Sequence, residues 1–155
     1  MVIDEILSTL VKAPLLLKDL IDSIPREMIK KRRIEGKWCI HEHACHLVNG
    51  QPMLTGRLKQ FINEDAPVFK SYLPGTTTPP DELMKMDLEN MPAAFPRLRA
   101  EFVELYKRLA PDDWHKKVEH PQYTDYNPYI MARHVMFHDQ THMYRIEELW
   151  LQREF

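Results

Sequence analysis

The stretch MARHVMFHDQTHMYRIEEL, residues 131–149, decides how the rest of the chain is read. Met131, Val135, His138, His142, then Arg145 or Ile146, and Leu149 recur at spacings of three and four, the period of one helical face. Two histidines therefore stand where a bundle seam calls for leucine. A buried imidazole without a partner costs about 1–3 kcal/mol, and two of them one turn apart need a common partner. Neutral imidazoles at i and i+4 can chelate one metal ion. Hydrogen-bonded core histidines, or a helix rotated to turn both towards water, are the plainer alternatives. Two histidines rarely hold a catalytic ion alone, so a metal reading requires a third ligand from another helix. His134 sits one turn earlier, off the seam, and flanks such a site.

Working outward, the whole chain carries helical rather than strand periodicity. Glycine is scarce (four) and proline common (twelve). Ile3, Ile6, Leu7, Leu10, Leu17, Leu20, Ile21 and Ile24 form a first stripe, in which Pro14 either kinks one helix or opens a second. A second helix is expected from about Trp38 to Asn63, bent by Pro52, which removes a backbone donor. Leu88, Met91, Phe95, Leu98, Phe102, Leu105 and Leu109 give a third seam, whose regular part should begin near residue 92 because of Pro92 and Pro96. The last helix should run from Pro128, announced by Asn127, to Arg153. Two proline-rich connections, 64–82 and 110–127, separate these segments and are long enough to shape a binding site. The expectation is an all-α four-helix bundle with long connections, forming a single domain over residues 1–155.

The segment HEHACH, residues 41–46, is the obvious donor of a third ligand. It begins like the zinc-protease phrase H-E-x-x-H, but Cys45 occupies the closing position and His46 arrives one residue late. On a straight wheel anchored by Ile40, Ala44 and Leu47, His43 points more directly inward than His46, and both stay candidates. Cys39 and Cys45 would diverge on one helix, so reduced thiols are the simpler reading. Cys45 as a nucleophile is set against Cys45 as a small core residue. Trp38 and Trp114 read as packing residues and Asp139 as structural.

The charge balance excludes some partners. A formal net charge of −2 offers no basic stripe for nucleic acid or an anionic membrane. No apolar run approaches 18 residues, and the amino terminus lacks signal-peptide features. A cytoplasmic protein with neither nucleic-acid nor membrane partners is expected. Phe137, Tyr144, Trp150 and Leu151 add apolar residues on the far side of the last helix, which suggests a homodimer.

The run Trp38-x-x-x-Glu42-x-x-x-His46-Leu47, followed by His138-Asp139-x-x-His142, resembles the DinB/YfiT-like superfamily of metal-binding four-helix bundles. EGKWCIHEHACHL resembles that family's turn into its second helix, and APDDW with His120-Pro121 its lead-in to the fourth. The resemblance covers roughly residues 12–150. It implies one divalent ion per chain, zinc or nickel, held by His46, His138 and His142. His41, His43 and His134 are extra histidines that the family pattern does not require. Glu42 falls where the family carries an acidic residue, which makes it a candidate general base, or else a supporting carboxylate. Three imidazoles leave a coordination position open, suited to acidifying water towards ~7 or to binding and deprotonating a thiol. The resemblance thus implies a hydrolase or a low-molecular-weight thiol S-transferase acting on a small-molecule substrate. The alternative is a non-catalytic metal- or ligand-binding protein of the stress response.

Overall fold

The computed structural model describes residues 1–70, 72, 79 and 81–152. Six α-helices are present among them: α1 (Ile3–Asp22), α2 (Arg26–Ile29), α3 (Ile40–Asn49), α4 (Gln51–Asn63), α5 (Asn90–Tyr106) and α6 (Pro128–Leu151). α3 and α4 together form one broken rod, so the long helices make a four-helix bundle. α1 packs on α5 and α6, α3 packs on the same two helices, and α4 packs on α5. The broken rod therefore stands diagonally across from α1, with α5 and α6 between them. The expected bends resolve differently at the two prolines. Pro14 lies buried inside one continuous α1. Pro52 instead falls in the first turn of α4, where its missing N–H is an orphan position anyway, and the rod breaks at Gly50.

α6 begins where the sequence indicates. The Asn127 side chain accepts a hydrogen bond from the Ile130 N–H at 2.9 Å, and Pro128 occupies the first helical position. The helix ends at Leu151, and the expected end at Arg153 lies outside the described residues. α5 starts at Asn90 and ends at Tyr106, short of Leu109, which packs on the core from beyond the helix. Its innermost line also differs from the expected one. Phe95, Arg99, Phe102 and Tyr106 are buried, whereas Leu98 lies at the flank. Trp150 is likewise not on the outer face of α6 but packs against the core. Phe137, Tyr144 and Leu151 are exposed as expected.

The core divides into two apolar clusters. One contains Leu10, Leu58, Phe61, Phe102 and Val135; the other contains Leu17, Leu47, Phe95, Ile146 and Leu149. Between them lies a polar layer. The Arg99 guanidinium, fully shielded from water, donates from both terminal nitrogens to the Asp139 carboxylate, with Nη2 to Oδ1 at 3.1 Å. Its Nε donates to Gln51 Oε1 at 3.0 Å, and the Gln51 amide donates to the Leu47 carbonyl at 2.7 Å, beside the break in the rod. Phe95 and Phe102 flank the guanidinium, with ring centroids 4.9 and 5.9 Å away. Three helices are tied together in this way by one side chain.

Removing one partner of a buried ion pair leaves an uncompensated charge. Asp139→Ala should therefore lower stability by about 3–5 kcal/mol in urea unfolding. The double variant Arg99→Met with Asp139→Leu should regain at least half of that loss. A double variant as unstable as the single one would show that the layer acts through something other than the paired charges.

Candidate metal centre

His46 sits in the last turn of α3, and His138 and His142 lie one turn apart near the middle of α6. α3 packs directly on α6. The three side chains converge, with their ligand atoms all within 4.8 Å of one another. His138 Nε2 lies 3.1 Å from His46 Nε2 and 3.2 Å from His142 Nε2. Nitrogens bound to one ion at ~2.0–2.1 Å stand about 3.0–3.4 Å apart, so these separations fit a shared cation. Hydrogen bonding alone serves the cluster poorly. The single lone pair or N–H at His138 Nε2 cannot make a linear hydrogen bond to both neighbours.

Protonation also suits metal binding. Burial, then the charges of neighbouring imidazoles, pushes His46 down to about 3 and His142 down to about 2. Burial lowers His138 as well. All three are neutral at pH 7, the form that offers a lone pair to a metal ion. The donor set fits a divalent ion.

Both histidines that compete on the helical wheel face the site, at different depths. His46 joins the three-nitrogen cluster. His43 stands behind it, its Nδ1 2.8 Å from His142 Nδ1. If His142 presents its Nε2 lone pair to an ion, its Nδ1 carries the proton and donates to His43 Nδ1. That contact holds the ligand's ring and tautomer, the usual task of a partner behind a metal-binding histidine. Trp38 packs on the same group, with ring centroids 4.8 Å from His46, 5.5 Å from His43 and 5.9 Å from His142. Trp38 is thus a wall of the site, beyond the packing role expected for it. Gly36, at φ 70°, makes the turn that brings this residue to the start of α3.

The other expected residues are placed elsewhere. Glu42 is buried, and its Oε2 accepts from the Cys39 N–H at 2.9 Å, capping the start of α3. Its Oε1 accepts from Arg32 at 3.1 Å. Both oxygens are thus committed to holding the helix start, and among the described residues neither bonds to a histidine of the cluster. The general-base expectation for Glu42 finds no geometric support. His41 donates its Nε2–H to the Leu83 carbonyl at 3.0 Å and contacts Cys45 Sγ at 3.5 Å, outside the cluster. Cys45 is sealed in the core, and burial pushes its thiol up to about 12, which disfavours the thiolate a nucleophile needs.

A cavity of about 380 Å³ opens onto all three histidines of the cluster. Leu47, Gln51, Arg57, His134 and Val135 line it from the helices, and Trp38 from the turn before α3. Tyr72 from one long connection, and His120, Gln122, Tyr123 and Tyr126 from the other, complete the wall. A bridge pairing of Val68 with Glu119 holds the two connections against each other, and one of Val118 with Tyr126 closes the second connection on itself. Arg57 and these tyrosines belong to no inward periodicity, so no sequence signal singles them out.

Comparison with known proteins places these features in context. Residues 9–146 match the model of a family described as the DinB superfamily. Among solved structures, YfiT from Bacillus subtilis superposes with a TM-score of 0.80 at 18% identity, covering 94% of this chain and 84% of that one. That protein is described as "a probable metal-dependent hydrolase with an unusual four-helix bundle topology". At this identity the likeness is one of fold. None of the curated proteins matches.

Binding of zinc or nickel, followed by competition with a chelator, tests the arrangement. His46→Ala, His138→Ala and His142→Ala should each weaken affinity by more than ~100-fold. His43→Ala should weaken it by about 10–100-fold, and His134→Ala should leave it unchanged. Abolished binding in His43→Ala with intact binding in His46→Ala would reverse their assigned places.

Proposed function

The chain belongs to the DinB superfamily, and from that premise we propose that it is a divalent-metal-dependent enzyme acting on a small molecule. The reaction is hydrolysis, or transfer of a low-molecular-weight thiol to an electrophile. The observation that carries this reading is the convergence of three neutral imidazoles at the wall of a cavity of about 380 Å³. The description of the Bacillus subtilis relative as a probable metal-dependent hydrolase supports the hydrolytic branch. Bound by His46, His138 and His142, zinc or nickel would supply a Lewis acid able to acidify a water molecule or a thiol.

The chain's own residues prepare that site. Trp38 packs on His46 and His142 and walls the cavity beside them, and His43 fixes the His142 ring. Glu42 and Arg32 anchor the start of α3, which presents His46. Proton transfer falls to His134, one turn before His138. His134 Nδ1 lies 3.3 Å from the Tyr126 hydroxyl. In the tautomer whose Nδ1–H donates to that oxygen, Nε2 is free to accept a proton. Burial, then the Arg57 charge, lowers the His134 pKa and keeps the ring neutral at pH 7.

Metal-loaded protein assayed against esters, amides and thiol-plus-electrophile pairs should turn over at least one class. His134→Ala should retain the ion and lose about 10²- to 10⁴-fold in rate, the loss typical of a missing proton acceptor. A chain that binds zinc or nickel yet turns over nothing would favour the non-catalytic metal- or ligand-binding alternative. A chain that binds neither would overturn both.

The same reading includes a homodimer. Phe137, Tyr144 and Leu151 are exposed at seven-residue intervals along α6, and Val11, Leu15 and Leu16 are exposed on α1, which packs against it. A second copy covering the exposed apolar residues of these two helices accounts for their exposure. Light scattering should give twice the chain mass, and Tyr144→Glu should shift it towards the monomer. A monomeric wild-type chain at micromolar concentration would remove this part of the proposal.

A further inference from the structure

The wall of the cavity away from the histidine cluster has a charge of its own. Arg57 lines it from α4, half-buried, with its guanidinium 5.0 Å from the Phe69 ring centroid. Nη2 donates to the Lys70 carbonyl at 2.7 Å, which fixes the side chain and leaves other N–H donors unused. Arg32 and Arg99 each meet a carboxylate, but among the described residues no ion pair involves Arg57. Nor does any Asp or Glu among the described residues line the cavity. A partly desolvated cation without a counter-charge is costly, and an anion entering the cavity removes that cost.

The surroundings of Arg57 suit an organic anion rather than a hydrated ion. His120, Tyr123 and Tyr126 cluster there, with His120 4.7 Å from each tyrosine ring and the tyrosines 5.7 Å apart. Burial, then the Arg57 charge, lowers the His120 pKa, so the imidazole stays neutral and presents a flat surface. His134 touches both tyrosines and stands one turn before His138, roughly 6 Å along α6 at 1.5 Å per residue. Arg57 and the tyrosines thus share a cavity wall with His134, and the histidine cluster begins one turn farther along α6.

We infer that the Arg57 end is an oxyanion subsite, and that the substrate is a small organic acid whose carboxylate or phosphate pairs with Arg57 while its aliphatic or aromatic body lies on Tyr123 and Tyr126. That the substrate's other end reaches the histidine cluster rests on the reading of the cluster as the reacting centre; the oxyanion subsite itself does not. A planar guanidinium pairs with either oxyanion through two parallel hydrogen bonds. A cationic substrate is disfavoured, because no acidic side chain among the described residues lines the cavity and a bound divalent ion would add to the repulsion.

The test uses full-length protein, metal-loaded and chelator-treated, titrated with phenylacetate, phenyl phosphate and neutral phenylacetamide by calorimetry or NMR. Both anions should bind at least 10-fold more tightly than the amide in both preparations, and the tighter of the two identifies the oxyanion. Arg57→Gln should abolish that preference, and Arg57→Lys should retain part of it. Preference that survives chelation but disappears in Arg57→Gln supports the subsite whatever becomes of the metal. Preference seen only in metal-loaded protein, or unchanged in Arg57→Gln, places the anion on the ion and overturns the proposal. Equal binding of acid and amide overturns it too. Should Arg57→Gln fail to fold, the wild-type comparison and Arg57→Lys decide.

Discussion

A guanidinium sealed from water is the constraint to which the bundle is built. Arg99 cannot shed its proton, so its charge must be met inside the protein, and Asp139 meets it through two parallel hydrogen bonds. The geometry this demands is narrow. It fixes the height of α5 against α6, and the third bond, to Gln51, fixes the start of α4 against both. Apolar clusters above and below tolerate sliding far better than a bidentate ion pair does. The polar layer thus sets the register that the apolar residues fill.

The candidate metal centre inherits that register. Asp139 follows His138 directly, and Gln51 lies one turn beyond Leu47, the neighbour of His46. On α6 the residue that meets Arg99 falls between the two histidines of the cluster in sequence, and on the broken rod Gln51 follows His46 by five residues. Asp139 turns into the core, the histidines face the cavity, and Gln51 both holds Arg99 and lines the cavity. A disturbance of the ion pair therefore moves the histidines, while a change at Trp38 or His43 acts on them from outside the core.

Much of this was legible in the sequence where it depended on one helix at a time. The α6 seam placed His138 and His142 together, the Asn127–Pro128 pair marked the helix start, and composition separated loops from helices. The wheel favours His43 and the family resemblance His46; both side chains face the site, and a wheel does not show depth. The three-nitrogen cluster takes the deeper one. The periodicity of α5 puts Leu98 on the seam and gives no signal for Arg99, since a charged residue beside a leucine normally marks the solvent side. Only the distant Asp139 reverses that expectation. The role of Glu42 was equally hidden, because a cap and a base look alike until the partner of each oxygen is known. The Arg57 end of the cavity is assembled from α4 and two non-periodic connections, and nothing local announces it.

The wide separation of the histidines along the chain has a consequence for folding. His46 and His138 are 92 residues apart, so an ion held by both would act as a reversible cross-link closing most of the chain into a loop. An ion that binds only the folded form adds stability by mass action, about 2.7 kcal/mol at a hundred times its dissociation constant. Unlike a disulfide, such a link needs no oxidising compartment, and its strength follows the free metal concentration around the protein. The abundance of the folded chain would then report on metal supply.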